Sequence, residues 1–287
     1  MNHHRRPYAT YDPAISRTGR RLLNGYLGLV LVFLYTPMLV LVLFSFNDAA
    51  IPAFPLSGFT TKWYSALFEN EQMIATIVTS GTIAAYASIV TLVIAAFASL
   101  GIARNRFAGR TALYVLLLSP MIMPFLVMAV SLLLFFRAAR IPLSQWTVVA
   151  GHSMMAMPYV LLILVPRLAK IDPSLEEAAQ DLGCSRVSAY WFVLRPLMTP
   201  AIVAGFFVAL TTSFDEFPIA SLVNDGSKPT FPVFLFGQAR FPDRLPQVIA
   251  VATIIIAVTL LVVLVGGIAQ SQGIRRVFAR LRSKEAT

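Results

Sequence analysis

The sequence predicts an all-α, polytopic membrane protein, and three observations carry that prediction. Of its 287 residues, 57% are hydrophobic and only 13% charged, with a mean hydropathy of +0.75; soluble domains run about 45–50% apolar and about 25% charged. Six nearly charge-free stretches recur along the chain, and a spanning helix needs about 20 apolar residues. The basic residues fall between those stretches in strict alternation, dense on one side and sparse on the other.

Taken in order, the stretches are residues 22–47, 72–103, 111–136, 141–166, 196–214 and 245–274. Each is long enough for one transmembrane helix, so six spans are predicted. The fifth stretch runs on past an acidic pair to Asn224. The third and fourth are separated only by Arg137–Arg140 and a turn at Pro142, which suits a helical hairpin. Pro37, Pro120, Pro124, Pro158 and Pro218 lie within spans. Each removes a backbone donor and kinks its helix, a loss that neighbouring helices can make good. The first stretch exceeds the short apolar run of a signal peptide and is read as a retained span. The organisation expected is a tail at 1–21, a six-helix transmembrane domain at 22–274 with its main loop at 167–196, and a second tail at 275–287.

Lys and Arg number 17 in the set of segments that includes both tails, residues 104–110 and residues 167–195, against 6 in the opposite set. The positive-inside rule then predicts cytoplasmic termini in the inner (plasma) membrane. The net charge of +10 is thereby spent on orientation in lipid, not gathered into a nucleic-acid footprint. A single cysteine, Cys184, excludes a disulfide framework. His3, His4 and His152 are too scattered to suggest a metal cluster, and His152 is read as a helix–helix hydrogen-bonding group.

The loop 167–196 carries the strongest local signal. Asp172 suits an N-cap and Pro173 the first helical position. Glu176 and Glu177 fall where the positive end of a helix favours them. Leu175, Ala178 or Ala179, and Leu182 repeat at helical spacing along one apolar face, and Gly183 can close the helix in a left-handed cap. A second amphipathic segment, 187–194, leads to Pro196. Three acidic side chains, Glu176, Glu177 and Asp181, disfavour a helix that merely lies on anionic lipid; a dock for a soluble protein fits better.

Glu177-Ala178-Ala179, three residues, Gly183, nine residues, and the stretch ending at Pro196 resemble the EAA loop of ABC-importer permeases. Val193 and Arg195 stand where that pattern has Ile and Leu, outside the helix itself. The resemblance implies the type I ABC importer permease fold, with residues 175–182 as a cytoplasmic coupling helix seated on an ATP-hydrolysing subunit. Glu176, Glu177, Ala178, Ala179 and Gly183 become the expected ATPase-coupling residues. No segment matches the phosphate-binding G-x-x-x-x-G-K-[ST] pattern, so this chain is expected to be no enzyme and to hold no cofactor, ATP and Mg being bound by the partner.

Three further segments, Gly58–Asn70, Thr211–Val223 and Pro229–Phe241, extend the resemblance over essentially the whole chain, to the spermidine/putrescine (PotC-type) permeases. Asp215 and Glu216 lie within an otherwise apolar span, where a charge costs about 2.5–3.5 kcal/mol on insertion scales and marks an ion or substrate path. In a continuous helix the two point about 100° apart. One would line the path for a cationic substrate, Asp215 being favoured because the related permeases carry an acid there, and the other would pair with the second permease at their interface. Phe214 and Phe217 flank them and could offer cation–π faces to the ammonium groups of a polyamine. The resemblance implies as partners two ATP-binding subunits, a second homologous permease in a heterodimer, and an extracytoplasmic solute-binding protein meeting the outer loops at 48–72 and 225–245. Another cargo on the same machine (an opine, another amino compound, a phosphonate or ferric iron) and a self-contained secondary transporter are the alternatives.

Overall fold

The computed structural model describes residues 17–261. Most of the predicted N-terminal tail, all of the C-terminal tail and the end of the sixth stretch therefore lie outside the described residues. The chain divides into two compact units, 1–66 with 242–287, and 67–241.

In the first unit, α1 (Arg17–Ser45) is a helix of 29 residues that accommodates Pro37. The chain then turns through a loop knit around Asn47. Its carbonyl accepts the Trp63 indole N–H at 2.8 Å, its side chain accepts the Ser57 amide at 3.0 Å, and it bridges to Phe59 in the only extended pairing among the described residues. Ser45 and Tyr64 share a hydroxyl hydrogen bond of 2.6 Å, and Lys62 pairs with Asp48. The boundary between the units falls inside α2 (Lys62–Phe68). The helix Pro242–Leu261, the last described element, belongs to the first unit and covers the predicted sixth span as far as described.

The second unit is built around α3 (Glu71–Arg104), α6 (Gln145–Ala169) and α9 (Arg195–Phe214). Asn70 caps α3 by accepting the Met73 amide, and Ser144 with Thr147 forms a capping box at the start of α6. Small residues let these helices close on one another, as expected where lipid supplies no hydrophobic drive between helices. On α3, Ala84, Ala87, Ser88, Thr91, Ala95 and Ser99 are all buried. Across the contact with α6, Thr91 donates to the Ser153 carbonyl and Ser153 to the Ala87 carbonyl, each at 3.2 Å. Leu161, Leu164, Leu168, Leu194 and Met198 fill the core beside them.

Two predicted spans differ from expectation. The third is not one helix: α4 (Arg110–Leu118) ends in a tight turn at Ser119–Ile122, and α5 (Phe125–Ala138) leaves at 109°. Pro124 explains the break, since the residue before a proline avoids helical geometry and Met123 is extended, at φ −76° and ψ 134°. Among the described residues, five helices are thus long and apolar enough to span, or six if the bent pair is one span. The fifth span also stops at the acidic pair. α9 ends at Phe214, and a separate helix, α10 (Pro218–Val223), follows. A continuous helix would drive the Pro218 ring into the Phe214 carbonyl four residues back. The 100° separation expected for Asp215 and Glu216 in an unbroken helix therefore does not apply.

Candidate functional site

The sequence-predicted residues gather at two places within the second unit. The first is the loop between α6 and α9. It contains α7 (Ser174–Asp181), then α8 (Arg186–Ala189), which runs through a π-helical turn, Tyr190–Leu194, into α9. That wide turn lies directly before Pro196: the Arg195 amide bonds to the Tyr190 carbonyl, one residue beyond helical register.

Capping decides the shape of α7. The Asp172 carboxylate accepts the Ser174 amide at 2.9 Å, which is what an N-cap side chain does. Ser174 thereby holds the Asp172 carboxyl below its usual range, through its amide first and its hydroxyl second. At the other end Cys184 N–H bonds to the Ala179 carbonyl at 3.0 Å, and Gly183 N–H to the Gln180 carbonyl at 2.9 Å. Those paired bonds make a Schellman cap, with Gly183 at φ +91°. No atom lies within 4 Å of where a Gly183 Cβ would stand, so within this chain the glycine serves the turn and not a close approach.

The two glutamates of α7 diverge. Glu177 is exposed, as are Ala178, Leu175 and Leu182, while Ala179 is partly covered. Glu176 instead folds back onto the last residue of α3: its Oε1 lies 2.8 Å from Arg104 Nη2. Arg104 Nη1 also donates to the Ile171 carbonyl at 3.0 Å. At the neck of the loop, the Arg167 guanidinium donates twice to the Leu197 carbonyl, at 3.2 and 2.9 Å.

The second place is the break between α9 and α10, where the adjacent carboxylates again part company. Glu216 is buried. Its Oε1 accepts the Ile219 amide at 2.7 Å, its Oε2 accepts the Ala220 amide at 2.9 Å, and Oε2 also lies 3.1 Å from His152 Nε2. His152 Nδ1 is 2.7 Å from the Ser213 hydroxyl. The far end of α10 is tied to α6 as well, where Thr147 donates to the Val223 carbonyl at 2.6 Å. Gly151 lets the two helices meet, because a Cβ there would stand 2.6 Å from Ile219 Cγ2.

Glu216 is thus engaged inside the subunit and presents no free oxygen to an open path. Asp215 is exposed and makes no ion pair among the described residues. Phe214 is partly exposed and packs against Phe231, ring centroids 6.1 Å apart; Phe217 packs at 4.6 Å on Phe236. Both aromatic partners lie on α11 (Phe231–Gln238), whose first amide donates to Ser80 on α3 at 2.8 Å. Sequence reasoning placed the acids in a span but gave His152 no part in holding either of them. It passed over Ser213 and Thr147, and counted Arg104 only as an orienting charge. A buried histidine and an intramembrane carboxylate in one chain were the available signal, because such groups pair with one another.

Comparison with known proteins places this architecture. Residues 92–277 match the family described as binding-protein-dependent transport system inner membrane component. The chain belongs to that family. It is 34% identical over 242 residues to the spermidine/putrescine transport system permease protein PotC of Haemophilus influenzae, covering 84% of this chain and 93% of that protein. The Escherichia coli K12 PotC is 31% identical over 246 residues, covering 86% and 92%. The putrescine transport system permease protein PotI of the same strain is 32% identical over 231 residues, covering 78% and 82%. The crystal structure of a bacterial ABC transporter involved in the import of the acidic polysaccharide alginate aligns with a TM-score of 0.68 at 17% identity, over 89% of this chain and 98% of that one. That likeness establishes the permease fold. The protein is a multi-pass inner-membrane permease subunit of an ABC importer.

Proposed function

We propose that this permease carries polyamines, putrescine or spermidine, from an extracytoplasmic binding protein into the cytoplasm, driven by ATP hydrolysis in partner subunits. The observation that carries the cargo is Asp215. It is an exposed carboxylate at a helix break within an apolar span, freed because its neighbour Glu216 is consumed by His152 and the α10 amides. A carboxylate facing lipid is unfavourable, so the exposed face of the isolated subunit meets the path or a second permease. At the same point the negative end of α9 meets the positive end of α10. The carboxyl-terminal end of α9 favours cations, while the amino-terminal end of α10 is already neutralised by Glu216. The break therefore presents net negative character to an ammonium group, with Phe214 beside it.

Two ATP-binding subunits, a second homologous permease and a solute-binding protein complete the assembly in this reading, with both termini cytoplasmic. Seating of α7 on an ATP-binding subunit uses the exposed Glu177, Ala178, Leu175 and Leu182. ATP-driven closure of those subunits moves α7, and that motion opens the path. The chain itself supplies no ATP site.

The test is uptake of labelled putrescine and spermidine by proteoliposomes holding the whole complex, with ATP inside and binding protein outside. ATP-dependent accumulation that Glu177→Lys abolishes is the expected result. Absence of polyamine uptake while ATPase activity still responds to the binding protein would overturn the cargo.

A further inference from the structure

We propose that Arg104 is the residue through which movement of α7 reaches the membrane core, a positioning residue that latches the ATPase-facing helix to α3. The inference rests on the reading of α7 as the seat of an ATP-binding subunit. It begins from the way the loop is attached. Apart from the chain itself, Arg167 closes the neck by binding the Leu197 carbonyl, which fixes where the loop leaves α6 and joins α9. It does not fix α7, which lies further out on the loop.

Arg104 does. One guanidinium nitrogen holds the Ile171 carbonyl, just before α7, and the other holds Glu176 in its first turn. The two contacts grip the amino-terminal end of α7 from both sides of its cap. The pair is mostly covered, with Arg104 at 15% and Glu176 at 24% side-chain exposure, so water screens it less than a surface ion pair. Arg104 is also the last residue of α3, where the helix dipole favours a cation. A planar fork that binds a carbonyl and a carboxylate together resists rotation in a way a single point charge cannot.

The other end of the latch is anchored as firmly. Ile102, two residues earlier, is 3% exposed, and Ala95 and Ser99 on the same helix are fully packed. α3 runs from this point through the core it shares with α6 and α9, and its Ser80 holds the first turn of α11, beside the Phe214 and Phe217 contacts. Displacement of α7 thus acts directly on the helix that reaches the opposite end of the unit, beside the route through α8 and the π-helical turn on which α7 also packs.

The experiment compares Arg104→Gln, Glu176→Gln and the exchange Arg104→Glu/Glu176→Arg in the complete transporter. ATP-binding subunits should co-purify with Arg104→Gln at the wild-type ratio, while polyamine uptake per ATP hydrolysed falls about fivefold or more, the size of a typical coupling energy. The exchanged pair should recover part of that ratio, which a residue serving only folding would not do. A cargo-independent arm measures hydrogen exchange in α7 and α3. Arg104→Gln should speed exchange in α7 and leave the middle of α3 unchanged. If wild-type complex takes up no polyamine, the cargo reading fails and the exchange arm still judges the latch. Wild-type exchange in α7 of Arg104→Gln, a wild-type uptake-to-ATP ratio, or an exchanged pair no better than the single variants would overturn it.

Discussion

Two pairs of adjacent acids, Glu176–Glu177 and Asp215–Glu216, sit at opposite kinds of place in this permease and are divided in the same way. In each, one carboxylate is turned inward and held by a cationic or imidazole side chain from a distant helix, and its neighbour is left exposed. The difference lies in depth. Glu176 pairs with Arg104 while both keep some contact with solvent, at 24% and 15% exposure; Glu216 and His152 are sealed, at 3% and 1%. The pair on the α7 loop can therefore be opened and remade, as a latch must be. The membrane pair is part of the fold, and its task is to fix a helix break so that Asp215 faces outward.

That contrast ranks the expected consequences of mutation. The largest effect belongs to Glu216→Leu, which strands His152 and uncaps two α10 amides; removing one partner of a buried pair costs about 3–5 kcal/mol. A large fall in thermal unfolding temperature and in recovered complex is expected, and wild-type stability would show that the network does not hold the break. Gly151→Ala comes next, since its Cβ must displace Ile219 from 2.6 Å, at a cost of about 1–3 kcal/mol for overpacking. Thermal unfolding again measures it, and the contrast sharpens if Asp215→Asn, assayed alongside, leaves the unfolding temperature unmoved.

Gly183→Ala should act locally. The φ of +91° costs an L-residue about 1–2 kcal/mol, which should loosen the Schellman cap. Faster amide exchange at residues 183 and 184, with weaker retention of ATP-binding subunits, is expected while the membrane core stays unchanged. The smallest effect concerns Asp172. Its folded-state pKa is depressed by Ser174, so its contribution is fully present above the ordinary carboxylate pKa and is lost only as pH falls through the lower folded value. Exchange in the first turn of α7 should therefore be insensitive to this group from neutral pH down to the ordinary carboxylate range, and rise only below it. Asp172→Asn should remove that acid-side rise.

How much of this was legible depends on the range of the interaction. The α7 cap was readable because an N-cap at Asp172 and a left-handed residue at Gly183 are local demands of one helix, spaced by its length. The spans were readable because lipid imposes length and apolarity. The two helix breaks were only half readable. Pro124 and Pro218 were recognised as kinks, yet Pro37 and Pro158 sit inside unbroken helices, so proline alone did not say which helix would break. Arg104–Glu176 and His152–Glu216 left no spacing signal at all. Each joins helices remote in sequence, so only the packing of α3, α6 and α9 selects the partner. For Asp215 the sequence located the acid, and the structure supplied the reason it is free.

The most direct measurement is spermidine uptake by the assembled transporter carrying Asp215→Asn, with unfolding temperature and binding-protein-stimulated ATPase activity recorded on the same preparation. The account predicts uptake reduced about tenfold or more, equivalent to about 1.4 kcal/mol or more, with assembly, stability and stimulated ATP hydrolysis retained. Uptake at the wild-type rate in that intact complex would contradict it.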